Sequence, residues 1–416
     1  MKNSRRVVIT GLGVVAPNGI GKETFWQNLV AGKSAIDYIS AFDPSPYPCH
    51  VAGEVRDFDP KAFMTSRKAK MMGRFSQFAI AATRLAFEDA LLTIGPDLAP
   101  LTSIFYGTSI NGGGDVAAEA LESLLREGVA GINPWAALEY PSHAPSSYVA
   151  IEFGITGPAL SVSSNCCTGI DAINEGFEHI AKGASTVAVV GGVDTPIFPL
   201  AFGAFCALGA LTKRNDSPKT ASRPYDRLRD GIVIAEGAAT LILEELEFAR
   251  DRGARIYGEV LGHGSASEAI GMRKGDLSGK RMGSAITQAI REAGLTAENI
   301  DHVNAHGSSL PDYDICDTNA FKEALGEQAY RIPISSIKSM IGQPVSAAGT
   351  IQAAAACLSI RDQIVPPTIN HEVADPQCDL DYAPNASRVS RVRYVLINGH
   401  SFGGSVAALV IGQLSD

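Results

Sequence analysis

The chain has 416 residues, 45% hydrophobic and 19% charged, which is enough for one large core or two fused domains. Its formal charge of −9, with no long basic run, argues against a nucleic-acid partner. The apolar run Val7-Val8-Ile9-Thr10 is too short for a signal-peptide core, and no later stretch approaches the about 18 apolar residues of a membrane span, so a cytoplasmic protein is expected.

In chain order, short β-branched runs at 7–10, 103–106, 159–163 and 186–190 predict buried strands, with helices at 23–30, 76–92 and 167–182. A second series follows, with strands at 255–260, 300–305, 332–335, 393–397 and 406–411 and helices at 284–293, 313–324 and 346–363. Strands alternating with helices predict an α/β protein. Each half carries a strand, a glycine turn, a helix and a chemistry-bearing loop, which predicts a duplicated fold dividing into 1–250 and 251–416. No low-complexity linker separates the halves, so one compact unit is expected.

Gly11-Leu12-Gly13-Val14-Val15-Ala16 matches a dinucleotide-binding pattern after a strand. Pro17-Asn18-Gly19 follows at once and stops the helix such a site needs, so a tight turn between packed elements is the better reading. Seven cysteines, an odd number and thinly spread, argue against a disulfide framework, and no CxxC spacing suggests zinc; no metal is expected.

Cys166 lies in Ser163-Ser164-Asn165-Cys166-Cys167-Thr168-Gly169, between a predicted strand and helix. A helix N-terminus there should lower the thiol pKa, and the bend should present the side chain. Cys167, one residue on, should face elsewhere. His306 ends the predicted strand in Val303-Asn304-Ala305-His306-Gly307. Alone it reads as a core histidine; with Cys166 it suggests acyl transfer, the imidazole stabilising an oxyanion or enolate. A third motif, Ile337-Lys338-Ser339-Met340-Ile341-Gly342-Gln343, follows about 30 residues on. Arg67, Lys68, Lys70 and Arg74 form one basic cluster and Lys213-Arg214 a second; a solvated helix face is the plain reading, docking of an acidic partner the functional one.

Jointly these motifs, with Leu211–Glu236, Cys378–Pro384 and Phe402-Gly403-Gly404, resemble the β-ketoacyl synthases of the thiolase superfamily, of the β-ketoacyl-ACP synthase II type, with the texture of type II polyketide ketosynthase subunits. The resemblance spans nearly the whole chain. It implies a thiolase-like five-layer αβαβα fold of two similar halves. It also implies a homodimer, or a heterodimer with a related ketosynthase or chain-length-factor subunit. The partner would be an acyl carrier protein whose phosphopantetheine carries the substrates, with no cofactor bound by the chain itself.

By position, Cys166 resembles the acyl-accepting nucleophile, His306 the first catalytic histidine and Lys338 the motif lysine. Phe402 resembles the gating phenylalanine whose N–H joins that of Cys166 in the oxyanion hole. Asp314 resembles the acid after the histidine turn, and Ser308 a contact to the phosphopantetheine arm. Arg67, Lys68, Lys213 and Arg214 fall where the family receives its carrier protein. Four departures stand out: Gln343 for the second histidine, Gln352 for a glutamate that anchors the lysine, Asp317 for a glutamate and Leu310 for a threonine. A glutamine amide donates a hydrogen bond but carries no charge. The implied activity is Claisen condensation with a malonyl-type thioester. The alternatives are an acyltransferase that does not elongate and a non-catalytic chain-length-factor-like subunit, against which the cysteine argues.

Overall fold

The computed structural model describes residues 5–110 and 113–415. Its main sheet path runs through Val7–Ala16 (β1), Thr102–Gly107 (β2), Ala159–Val162 (β3), Val187–Asp194 (β4), Gly237–Glu245 (β5), Gly258–Ser267 (β6), His302–Asn304 (β7), Ile334–Ser335 (β8), Tyr394–His400 (β9) and Ser405–Gly412 (β10). The spatial order is β8-β7-β9-β10-β6-β1-β5-β4-β2-β3. Each run of five strands has the same internal pattern. The first strand pairs antiparallel with the fifth, and the fifth antiparallel with the fourth. The fourth then pairs parallel with the second, and the second parallel with the third. The two runs join where β1 meets β6, at Val8 opposite Glu259 and Ile9 opposite Gly258. Duplication that residue-by-residue comparison does not reveal is thus plain in the strand order.

Five helices complete the layers. Arg74–Ala90 (α1) covers β1 and β5 on one outside face, while Lys280–Glu292 (α3) covers β6 and β10 on the other and packs on Pro311–Leu325 (α4). Between the two runs of the sheet lie Thr168–Ala181 (α2) and Ala348–Asp362 (α5). Every residue of α5 from Ala348 to Ile360 is buried, as a helix walled on all sides must be. Its run of alanines keeps it thin enough for both runs of the sheet to close on it. The N-terminal turns of α2 and α5 touch through glycines: a Cβ at Gly169 would meet the Thr350 nitrogen at 2.6 Å, and one at Gly349 the Ile170 nitrogen at 2.5 Å. That contact sets Cys166 against the loop carrying Gln343.

Two expectations need correction, and one strand was not expected at all. The segment 11–16 is not a turn: β1 continues through it to Ala16. Its glycines admit α1, since a Cβ at Gly13 would meet the Ala82 carbonyl oxygen at 1.8 Å. The strand expected at 159–163 is not buried; β3 is the sheet edge, and Leu160 is 54% exposed. A central strand, β5, escapes the periodicity reading, because its apolar run carries no alternation once both faces are covered.

Candidate active site

Cys166 sits in a one-turn helix, Asn165–Cys167, directly before α2. Asn165 takes a left-handed φ of 57°, so the chain bends sharply just ahead of the cysteine. The bend turns Cys166 into a chamber lined also by His306, Ser308, Gln343, His400 and Phe402, with apolar side chains between them. Cys167 faces the core, where its thiol donates to the Ser405 carbonyl at 3.3 Å and accepts from the Ser401 hydroxyl at 3.2 Å. Burial pushes the Cys166 thiol up to about 12, against the charge of Lys338, which draws it down. The lowering expected from the helix terminus is therefore overturned: desolvation wins, and the resting group is a thiol.

His306 follows β7 and is buried. Its backbone N–H donates to Asn398 Oδ1 at 2.9 Å, and its Nδ1 accepts from the His400 N–H at 3.3 Å. With Nδ1 accepting, the neutral ring carries its hydrogen on Nε2. Burial holds its pKa well below the usual range, assisted by the charges of Lys338 and His400. His306 is thus a neutral donor.

Two acids hold the turn after it. Asp314 accepts from the Ser308 N–H at 2.9 Å and the Tyr225 N–H at 2.8 Å. Asp317, although shorter than the glutamate of the resemblance, accepts from the Gly307 N–H, the Tyr225 hydroxyl and the Asn398 amide at 2.8, 3.1 and 2.9 Å. The Ser308 hydroxyl is buried and has no partner in the protein.

Gln343 is fixed through its backbone, donating to the Val233 carbonyl at 2.8 Å and accepting from the Ala235 N–H at 3.0 Å. Its Nε2 lies 3.5 Å from Cys166 Sγ, while its buried Oε1 has no partner. Lys338 stands behind the chamber wall with Nζ donating to Gln352 Oε1 at 3.2 Å, so the lysine remains anchored without a carboxylate. Burial lowers Lys338 to about 8. The Gln352 Nε2 reaches the carbonyls of Asn304, Ala305 and Asn398 at 2.9, 3.1 and 3.3 Å, tying β7 to β9. A glutamate could not make those bonds while ionised.

Phe402 is half-buried, rests edge-on against Tyr313 at 5.5 Å and precedes Gly403 and Gly404, both at positive φ. The basic residues lie outside the chamber. Arg67 and Lys213 are exposed, Lys68 pairs with Glu152, and Arg214 donates to the Leu228 carbonyl at 3.3 Å. Arg74 is not part of a surface patch: it clasps Glu236 at 2.7 and 2.8 Å. His400 and Tyr313 are chamber residues that the motifs did not flag, although His400 stands only two positions before Phe402.

A repeated strand pattern that brings a cysteine and a histidine from separate strand ends into one chamber is the arrangement of a thiolase-like acyl-transferring enzyme. Family models for the β-ketoacyl synthase N-terminal and C-terminal domains match residues 4–249 and 257–372. The chain is 39% identical to 3-oxoacyl-[acyl-carrier-protein] synthase 2 of Coxiella burnetii over 99% of both chains. It is 41% identical to the tetracenomycin polyketide synthase ketoacyl synthase alpha subunit of Streptomyces glaucescens, over 98% of this chain and 97% of that one. Among solved structures, a type II polyketide ketosynthase in complex with its acyl-carrier protein matches with TM-score 0.91 and 34% identity, over 99% of this chain and 100% of that one. The ishigamide ketosynthase/chain length factor matches with TM-score 0.92 and 34% identity at the same coverage. The chain belongs to the β-ketoacyl synthase family, the acyltransferases that carry out condensation in fatty acid and polyketide synthesis.

Proposed function

We propose that Cys166 accepts an acyl group from an acyl carrier protein and that a malonyl-type thioester then loses CO2 and attacks it. The carrying observation is the convergence of Cys166, His306 and Gln343 on one chamber, with Gln343 Nε2 at 3.5 Å from the sulfur. In the first half-reaction Cys166 Sγ attacks the acyl thioester carbonyl. The N–H groups of Cys166 and Phe402 receive the oxyanion, and the thiol proton ends on the departing pantetheine sulfur. In the second, the C–CO2 bond of the extender breaks, and its electron pair becomes an enolate whose oxygen is held by His306 Nε2–H and Gln343 Nε2–H. The enolate carbon attacks the acyl carbonyl, the C–S bond to Cys166 breaks, and the sulfur regains a proton from water.

The Ser308 hydroxyl supplies a contact for the phosphopantetheine arm, since it is buried and unpartnered at the chamber wall. Arg67, Lys68, Lys213 and Arg214 receive the carrier protein. The edge strand β3, with exposed Leu160, and the helix Ala144–Phe153 packed on it, with exposed Ile151, form the surface for a second copy or a related subunit. The nucleophile belongs to a half ending near 250 and the histidine to the remainder. A cytoplasmic setting accords with this chemistry, and no helix of the described residues is long and apolar enough to cross a membrane.

Incubation with acyl-carrier and malonyl-carrier proteins tests the reading: label on Cys166 and CO2 release together support it. The neutral amide of Gln343 favours one second reading, an acyltransferase that loads without elongating, for which label would appear and CO2 would not.

A further inference from the structure

Among the described residues, one group of metal-binding side chain types converges beside the chamber: Glu268, Cys316 and His400, whose ligand atoms all lie within 4.8 Å of one another. They come from three separate segments. Glu268 directly follows β6, Cys316 lies within α4, and His400 ends β9. The side chains of Glu268 and His400 are fully buried, as is Cys316. Glu268 Oε1 lies 3.1 Å from His400 Nε2 and 3.7 Å from Cys316 Sγ. The first contact is close but is not a hydrogen bond: Nε2 has no hydrogen-bond partner, and neither has His400 Nδ1 or Glu268 Oε2. The Cys316 thiol has a single hydrogen for two oxygens, the Asp276 carbonyl at 2.6 Å and Glu268 Oε1. Buried polar atoms left in this state are costly unless something further joins them. A glycine leaves the ring edge open: a Cβ at Gly275 would meet His400 Cε1 at 3.2 Å and lie 3.7 Å from Nε2. A zinc ion about 2.0–2.1 Å from nitrogen and oxygen ligands and about 2.3 Å from sulfur sets tetrahedral edges of about 3.3 and 3.6 Å, close to the observed 3.1 and 3.7 Å.

We propose that Glu268, Cys316 and His400 bind a zinc ion, with a water in its fourth position. A thiolate sulfur, an imidazole nitrogen and a carboxylate oxygen together suit zinc, whereas magnesium and calcium take oxygen ligands. On binding, Cys316 gives its proton to the buffer, and His400 Nε2 ligates through its lone pair with the ring hydrogen on Nδ1. The ion ties the chamber together. The His400 N–H donates to His306 Nδ1 at 3.3 Å, and the Glu268 N–H to the Gly404 carbonyl at 2.8 Å. One ion therefore holds the histidine turn, the Phe402 loop and the end of β6 in register. The three ligands stand far apart in the chain, so no sequence spacing announces the site. The site does not depend on the ketosynthase reading, and its test does not use activity.

The test strips the full chain with a chelator, adds back zinc or cobalt(II), and removes the excess by gel filtration. The chain should retain an equivalent of zinc. The cobalt form should show the visible bands of a four-coordinate ion and a near-ultraviolet thiolate-to-cobalt band. Cys316→Ser should lose that thiolate band. Both Cys316→Ser and His400→Gln should weaken zinc binding by more than the about tenfold to hundredfold that loss of an outer-shell partner costs. Cys206→Ser, which removes a half-buried thiol elsewhere, should change neither readout. Melting temperatures check folding. If the variants do not fold, X-ray absorption of the zinc-loaded wild type decides: it should show a sulfur neighbour at about 2.3 Å and the others at about 2.0–2.1 Å. A wild type that retains no zinc overturns the proposal. So does zinc affinity indifferent to both Cys316→Ser and His400→Gln, or an absorption spectrum with no sulfur neighbour.

Discussion

At the scale of single residues, the proposed chemistry turns on Gln343. Its amide reaches the sulfur but cannot become cationic. Gln343→Ala should slow CO2 release from malonyl-carrier protein by about 100-fold to 1,000-fold, the usual loss for one such donor. Gln343→His should raise it modestly, by offering a charge-assisted bond in the same place. A rate that falls in Gln343→His would show that the neutral amide is tuned for the native reaction. Gln352→Glu, which the sequence suggests would restore the lysine's partner, should do harm instead. Its carboxylate would face three carbonyl oxygens that the amide now bonds, costing about 1–3 kcal/mol, readable in urea unfolding. The thiol gives a pH test. With Cys166 pushed up to about 12, the thiolate fraction grows with every step in pH below that value. Iodoacetamide should therefore label Cys166 ever faster from about pH 7 to 10. A plateau near pH 8 would show a thiolate already poised at rest.

At the scale of elements, the site is built where strand ends meet helix starts. Cys166 follows β3, His306 follows β7, and Phe402 lies between β9 and β10. Such junctions are legible in a sequence because glycines, small polar residues and a change of period mark them. Cys166 and His306 were found in that way, Lys338, Gln343 and Phe402 through the family resemblance, and the structure brings all but Lys338 to the chamber wall. His400 and Glu268 were not. They come from β9 and the end of β6, and only the register of β10 between them, His400 opposite Val406 and Val406 opposite Ala266, makes them neighbours. No local pattern encodes that meeting. The same limit hid β5 and misread β3 as buried. The exposed edge of β3 carries its own prediction: Leu160→Asp should weaken self-association by about a hundredfold or more, seen as monomer in sedimentation at micromolar protein. Undiminished association would place the interface elsewhere.

At the scale of the whole molecule, the charge of −9 sets a problem for an acidic carrier protein, which must be captured against general repulsion. Under the proposed function, Arg67, Lys68, Lys213 and Arg214 are the local answer. Reversing their charges should raise KM for the carrier and flatten its salt dependence while leaving kcat within about twofold. Kinetics indifferent to these reversals at every ionic strength would remove the patches from the docking surface. The repeated strand pattern carries a central helix pair, and that pair sets Cys166 against the loop carrying Gln343. The measurement that tests this account most directly is intact-protein and peptide mass spectrometry after incubation with an acyl-carrier protein, then with malonyl-carrier protein. The account predicts one acyl group on the peptide containing Cys166, absent in Cys166→Ala and present in Cys167→Ala, discharged with CO2 when the malonyl carrier is added. An acyl group that persists in Cys166→Ala and vanishes in Cys167→Ala, or a chain that takes up no acyl group at all, would contradict it.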